Sequence, residues 1–308
     1  MTGAMETGRV VSVGIAAWNA EANIGAILRA VLLQCEESVR ISEIIVHSDH
    51  STDRTIAIAR ECADPRLKVV DHARRRGFAA AVSSMLEAFT GDALVLLNDD
   101  IRIVDDKFIE KIVMPVFRKR ADFASANLQP LPPRGFVERA SVSVFRVWER
   151  IRESIPERDN VFTCDGAAMC LSARFARSIN LPADTAQAGN VDAFLYFFCV
   201  GAGLRYVHAS NAVAWFRSPA SIRDYVARNI RNDSQRPLLE KQFGAMAAKA
   251  FSIPRGLYWK SVAREIRDNP IGALFVFFAG LYVRANARHA ARNASPTWEV
   301  VKSSKNLD

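Results

Sequence analysis

Residues 93–103 read ALVLLNDDIRI, an apolar run that meets Asn98, Asp99 and Asp100 before apolar character returns at Ile101 and Ile103. A Val/Leu run without polar alternation predicts a strand buried on both faces, as in the middle of a parallel sheet. Its two carboxylates then stand at the C-terminal end of the strand, where the crevice of an open α/β sheet takes its ligands. Adjacent acids repel each other unless a cation or hydrogen-bond donors compensate them, and a hard divalent ion carrying phosphates suits such oxygen ligands. Taken alone, the pair is better explained as an ordinary turn, because Asp bonds its own neighbouring backbone there. The surrounding chain has to decide.

Upstream, a strand-and-helix rhythm repeats. Arg9–Ile15 is β-rich, and apolar residues then recur at helical spacing at Ile24, Ile27, Leu28, Val31 and Leu32. Ile41–Val46 predicts a second strand, and Ser51, Thr52 and Asp53 are capping types in front of a helix over Thr55–Cys62. Leu67–Val70 predicts a third strand, Arg74–Gly77 a basic turn, and Ala79–Phe89 a helix that leads into the opening stretch. This alternation predicts right-handed βαβ units around a mainly parallel sheet. The ends Ala16–Asn19, Ser48–His50 and Asn98–Asp100 therefore gather at one sheet edge, near Arg74–Arg76. Carboxylates for a metal and a base edge, with arginines for phosphate, make a nucleoside-diphosphate site chemically sensible. No GxGxxG follows the first strand and no GxxxxGK[ST] occurs anywhere, which disfavours a dinucleotide dehydrogenase or a P-loop ATPase.

Composition sets wider bounds. The 308 residues are 50% hydrophobic and 24% charged, enough for a large globular core in one large or two smaller domains. A formal charge of +8, from 41 basic and 33 acidic residues, favours anionic partners. The basic residues are spread over helices and not interleaved with aromatics on a sheet module, so nucleic acid is not an expected partner. Five cysteines without a CxxC pair argue against a zinc site and a disulfide framework and fit a reducing cytosol. The N-terminal MTGAMETGRV lacks the apolar segment of a signal peptide or anchor.

Three motifs in order resemble those of the family 2 glycosyltransferases with a GT-A fold: Ala16-Ala17-Trp18-Asn19-Ala20-Glu21, Ser48-Asp49-His50-Ser51-Thr52-Asp53, and Asn98-Asp99-Asp100 in the position of the DxD metal motif. The similarity runs from about Val10 to Asn232. The resemblance implies an α/β, Rossmann-like nucleotide-diphospho-sugar transferase fold and metal-dependent, inverting transfer of a sugar to a hydroxyl, with Mn²⁺ or Mg²⁺. It assigns Ala17, Asn19 and Asp49 to the donor, Asp49 at the nucleobase edge. Asp99 goes to the ribose, Asp100 to the metal and Arg76 to the pyrophosphate. A UDP-sugar is the first choice of donor, with GDP- and dTDP-sugars as alternatives. Departures stand at Ala16, Ala20 and Ser48, where the family usually has proline, glutamate and aspartate.

Further along, Asp122–Asn127 predicts another strand, which the prolines of Gln129–Gly135 should end. A helix over Phe136–Arg152 carries Arg139, Arg146, Arg150 and Arg152 on a face that reads as solvated, with acceptor or membrane contact as the alternative. Val161–Leu171 resembles the family's small-residue strand flooring the active site, with Asp165 and Gly166 as acceptor contacts. In Gly189-Asn190-Val191-Asp192, Asp192 matches the acid of a family Glu-Asp pair and is the expected base. Val191 departs from the glutamate, and the bland reading of Asp192 is a helix cap. Arg228 and Arg231 share a helix face, either gripping a phosphate or forming a salt-bridged surface.

In the last third, basic and aromatic Phe251–Arg267 precedes IGALFVFFAGLYV, Ile271–Val283, which is too short for the about 20 residues a bilayer requires. It predicts a helical region lying on an anionic membrane surface or packed on the domain or a second subunit. The final SSKNLD reads as loose. The expected organisation is a GT-A domain over 1–236, with a donor half of about 9–126 and an acceptor half of about 127–236, then a helical region over 237–308. The expected location is cytoplasmic, peripheral on the inner membrane face, acting on a cell-envelope glycan or lipid-linked acceptor in polysaccharide biosynthesis. Two rivals remain: an inactive nucleotide-binding scaffold of the same fold, and a sugar-nucleotide pyrophosphorylase, which would carry a Gly-rich basic first loop that AAWNAEAN lacks.

Overall fold

The computed structural model describes residues 8–155, 159–181, 190–292, 305 and 307. Gly189 and most of the N-terminal segment discussed above lie outside the described residues. The strands are β1 (Val10–Ala17), β2 (Arg40–Ser48), β3 (Leu67–Asp71), β4 (Ala93–Asn98), β5 (Ile101–Arg102), β6 (Phe123–Pro130), β7 (Ala168–Ser172) and β8 (Tyr206–Phe216). They form one sheet in the order β3-β2-β1-β4-β7-β6-β8-β5. β1 pairs in parallel with β2 and β4, and β2 with β3, while β7 runs antiparallel between β4 and β6. The helices are α1 (Ile24–Leu32), α2 (Thr55–Glu61), α3 (Phe78–Ala88), α4 (Phe108–Phe117), α5 (Phe136–Ser154), α6 (Ala173–Ser178), α7 (Val191–Gly201), α8 (Ile222–Phe243), α9 (Ala245–Ala250), α10 (Arg255–Asp268) and α11 (Pro270–Arg292).

The apolar run of β4 works as its composition requires. Ala93, Val95 and Leu97 face one core with Val13, Ile24, Leu28, Phe108 and Ile112, while Leu94 and Leu96 face a second with Met85, Phe175 and Phe197. Side chains alternate across a strand, so a core on each face demands apolar residues at every position. Each such side chain contributes about 1.5–3 kcal/mol on burial. The stretch does not stay one strand, however. β4 ends at Asn98, the chain turns at Asp99 and Asp100, and Ile101–Arg102 pairs with β8 at the far edge of the sheet.

Two further expectations change. β6 continues through Asn127 to Pro130, pairing with Val213–Phe216 of β8. β7 leaves β6 after Ser125, so the later residues of β6 have an open edge on which a missing proline N–H costs nothing. The predicted strand over Val161–Leu171 opens with a 3₁₀ turn at Val161–Thr163, and only Ala168–Ser172 is strand.

The arginine face of α5 is covered only in part: Arg139 and Arg146 stay exposed, as expected of a solvated face, whereas Arg150 and Arg152 are half-buried. Arg150 donates to Glu265 Oε2 at 2.8 Å and to Asp268 Oδ2 at 3.1 Å, fixing α10 against α5. α11 packs on α5 and α8 as well, with Phe275 edge-on to Phe136 and Tyr225. The division at 236/237 falls inside α8. Among the described residues no helix is long and apolar enough to cross a membrane, and all five cysteines are free thiols.

Candidate active site

The C-terminal ends of β1, β2 and β4 open into a cleft of about 370 Å³, closed opposite by the approach to β7, the start of α7 and one face of α8. Asp49 extends β2 and holds the loop before α3. Its Oδ1 accepts from the Arg76 backbone N–H at 2.6 Å and its Oδ2 from the Gly77 N–H at 2.8 Å. Gly77 has φ +90°, a conformation side chains resist, and there the basic turn passes into α3. The turn therefore sends Arg75 into the cleft, its guanidinium 3.7 Å from the Trp18 ring centroid and 3.9 Å from Asp49 Oδ2.

Arg76 meets Asp49 through its backbone N–H and is not among the residues that line the cleft. Asn19 is likewise a buttress. In a left-handed conformation of φ +46°, it accepts from the Thr52 N–H at 2.8 Å and so ties the end of β1 to the loop after β2. Ala17 lines the cleft. Ser48, where the family has an acid, donates to Ser51 Oγ at 3.0 Å within the same loop.

Asp99 is 5% exposed and accepts the Trp18 backbone N–H at 2.9 Å. Asp100 beside it is half-buried, and burial together with the Asp99 carboxylate pushes it up to about 6. Among the described residues Asn98 Oδ1 is buried without a hydrogen-bond partner. Among the described residues no three His, Cys, Asp or Glu side chains converge into a ready-made metal cage. Two adjacent carboxylates suit instead a hard cation that takes its other ligands from diphosphate oxygens and water.

On the opposite wall, Asp192 sits in the first turn of α7 and takes hydrogen bonds from the Ala193 N–H at 2.7 Å and the Gly166 N–H at 3.1 Å. Burial and the nearby Asp165 outweigh those donors and push it up to about 6. Asp165 and Gly166 line the same wall, and Asp165 Oδ1 accepts the Ala167 N–H at 3.0 Å. Arg228 and Arg231 enter from α8. Burial and Arg228 lower the Arg231 guanidinium, while Asp100 and Asp192 both raise it, so one cation spans both walls electrostatically.

Sequence reading missed Trp18, Arg75 and Lys305 as cleft residues. A run of three arginines gives no register, and only the geometry at Gly77 chooses among them. Carboxylates set beside arginines define the class: an α/β protein with a cleft of mixed charge at its sheet edge.

Comparison with known proteins narrows that class. Residues 12–173, just over half of the chain, match Glycosyl transferase family 2, and the chain belongs to this family. An uncharacterized glycosyltransferase of Haemophilus influenzae is 33% identical over 111 residues, covering 35% of this chain and 33% of that protein. The uncharacterized glycosyltransferase YkcC of Bacillus subtilis is 31% identical over 87 residues, covering 28% of this chain and 26% of its own. The chain thus spans about a third and a quarter of these relatives. Among solved structures, glucosyl-3-phosphoglycerate synthase of Mycobacterium tuberculosis, in complex with Mn²⁺, UDP and phosphoglyceric acid, superposes with a TM-score of 0.56 at 19% identity, over 78% of this chain and 80% of that one. The mannosyltransferase PcManGT of Pyrobaculum calidifontis, in complex with GDP-Man and Mn²⁺, gives 0.56 at 18% identity, over 94% and 87%. The fold is GT-A.

Proposed function

We propose that this protein transfers a glycosyl group from a nucleoside-diphosphate sugar to a hydroxyl acceptor with inversion. The observation that carries this reading is the meeting in one cleft of two acid groups with different surroundings. Asp49, Asp99 and Asp100 lie at strand ends beside arginines, and Asp192 lies across from them with its carboxyl raised to about 6.

In this reading Asp49 accepts from the base through lone pairs left over from its backbone contacts, Asp99 accepts from the ribose, and Trp18 and Arg75 wall the nucleotide. Asp100 would hold Mn²⁺ or Mg²⁺, which when bound neutralises charge on the departing diphosphate. The acceptor oxygen attacks the anomeric carbon, the bond from that carbon to the diphosphate oxygen breaks, and Asp192 takes the hydroxyl proton. A base with a pKa near 6 is mostly ionised at neutral pH and still basic enough to accept a proton. Arg228 and Arg231 would balance the leaving diphosphate or an acceptor phosphate. UDP-sugars are the first donors proposed, because UDP occupies the Mycobacterium tuberculosis relative, and GDP-sugars the second, after the Pyrobaculum protein.

The acceptor is proposed to be lipid-linked and met at an anionic membrane surface. Trp259, Ile266, Ile271, Leu274, Phe278 and Leu281 are each at least half exposed on α10 and α11, with Lys260, Arg264 and Arg267 exposed alongside. Apolar and aromatic side chains flanked by cations suit the interface of an anionic bilayer. Co-sedimentation with phosphatidylglycerol vesicles, absent with phosphatidylcholine, is the expected result. A dimer in solution without vesicle binding would assign this face to a second copy.

The test of the activity is a panel of UDP-, GDP- and dTDP-sugars with Mn²⁺, read by thermal stabilisation and nucleotide release. A true donor at a hundredfold excess over Kd adds about 2.7 kcal/mol of stability. Stabilisation without release across the panel, with acceptors supplied, would make the chain a nucleotide-binding scaffold. Ala20, Ser48 and Val191, the departures from the family pattern, give that outcome its interest.

A further inference from the structure

Lys305 reaches into the cleft. Lys305 Nζ lies 2.8 Å from Asp99 Oδ2, the oxygen that also receives the Trp18 N–H. It donates as well to the Trp18 backbone carbonyl and stands 5.7 Å from the centroid of the Trp18 ring. The side chains of this ion pair are 16% and 7% exposed. The backbone is held at two points: the Asn23 side-chain amide donates to the Lys305 carbonyl, and Arg217 Nη2 donates to the Leu307 carbonyl at 3.4 Å. Arg217 is itself fixed, donating to the Pro132 carbonyl at 3.2 Å with Glu138 Oε2 at 3.7 Å. Leu307 is 8% exposed. The tail expected to be loose is therefore docked at both residues described.

An ammonium leaves water only where other groups replace its hydration. Here a carboxylate, a carbonyl and an aromatic face do so together, in the cleft that holds two adjacent acids. Lys305 is a cation supplied by the protein to those acids, and its charge acts on Asp100 against the burial that raises that carboxyl. Its ammonium takes the lone pair of Asp99 that a ligand hydroxyl would use and lines the same cavity as Trp18, Asp49 and Asp100. Being tethered, it acts at a high effective concentration, so weak contacts suffice.

We propose that the C-terminal tail is a self-ligand of this cleft, with Lys305 bound at Asp99 until a nucleoside diphosphate with its metal displaces it. The competition rests on the donor-site reading above; the docking of the tail does not.

The experiment has a chemical arm and a binding arm. In the first, brief acetylation of the full chain is followed by mass spectrometry of Lys305 against exposed Lys119. Lys305 is expected to react roughly tenfold more slowly, matching a mostly closed tail, and to reach the rate of Lys119 when Mn²⁺ and UDP are added. Asp99→Asn should release it without any nucleotide. In the second arm, calorimetry measures UDP binding with Mn²⁺ by the full chain, Lys305→Gln, and a chain ending at Ser304. Both variants are expected to bind about tenfold more tightly, since the competent fraction is no longer taxed. Equal reactivity of Lys305 and Lys119 in the free chain overturns the docking. Unchanged or weaker UDP binding by both variants overturns the competition and leaves the donor site standing. Absence of binding in all forms by UDP and, in the same assay, by GDP and dTDP overturns the donor-site reading and the competition with it, while the Asp99→Asn acetylation result still decides the docking.

Discussion

The backbone N–H of Gly166 donates to Asp192 Oδ2 at 3.1 Å, and a Cβ placed on Gly166 would lie 3.3 Å from both that oxygen and Asp192 Cβ. The glycine thus sets how closely the approach to β7 can pass the carboxylate proposed as base. Gly166→Ala should push the carboxylate aside without unfolding the chain. A displacement of this kind is expected to lower kcat by roughly 10- to 100-fold, with UDP affinity nearly unchanged. Steady-state kinetics beside calorimetry separates the two, and an unchanged kcat would remove Asp192 from the reacting atoms.

Asp192 itself makes a prediction in two directions. Burial first, then Asp165, raises its folded pKa from 3.8 to about 6. As a base it must be ionised, so kcat should rise with pH through about 6 and then level. Stability has the opposite sign: between 3.8 and about 6 the folded state holds more protons than the unfolded one, so this group costs stability as pH rises through that window. Asp192→Asn should therefore melt no lower than the parent at pH 7.5 while losing about 10²- to 10⁴-fold in kcat. A variant that keeps its rate, or one that melts lower, contradicts one half of this pair.

Asp100 offers the test of the metal assignment. Its carboxyl is also raised to about 6, by burial and then Asp99, so protons compete with a cation for it. Mn²⁺-dependent nucleotide release should weaken between pH 7 and pH 5. Asp100→Asn should abolish metal-dependent turnover while the circular dichroism melt stays cooperative. Full activity in this variant would sink the assignment.

What the sequence disclosed depended on whether a pattern had a local cause. The apolar run of β4 declares burial on both faces by itself, and the helical run after Ser51–Asp53 is there as α2, although Arg54 and none of those capping types takes the N-cap position. The fold half built from βαβ units was therefore legible, as were the acids at its strand ends. The extension of β6 through Pro130 was not, because it depends on β7 departing after Ser125. That Arg75 enters the cleft depends on the backbone twist at Gly77, and the partial covering of α5 depends on Arg150 meeting Glu265 more than a hundred residues later. Lys305 is the extreme case: nothing near it in sequence says that its partner is Asp99.

A buried acid away from the cleft gives the last prediction. Glu43, on β2, is 3% exposed, yet it accepts from Ser12 Oγ at 2.5 Å, the Thr90 N–H at 2.7 Å, Thr90 Oγ1 at 2.8 Å and Lys68 Nζ at 2.6 Å. Ser12 is in β1, Lys68 in β3 and Thr90 precedes β4, so one carboxylate joins four neighbouring segments of the parallel sheet. Burial alone would raise its pKa, but the donors from Lys68, Ser12 and Thr90 outweigh burial and lower it from 4.5 to about 2. A folded pKa below the unfolded one means stability that is complete above 4.5 and is lost as pH falls toward 2. Glu43→Gln keeps the shape but presents an amide to an array of donors, leaving at least one unmatched. The expected cost is about 2–3 kcal/mol at pH 7, with nucleotide affinity of the folded protein unchanged because the cleft lies at the other end of these strands. Urea melts at pH 7 and pH 3 check both parts: the gap between variant and parent should be full at the first and smaller at the second, since acid protonates the parent carboxylate and removes the advantage the variant lacks. Equal stability at pH 7 would mean that the four donors are as well satisfied by an amide or by water as by the carboxylate.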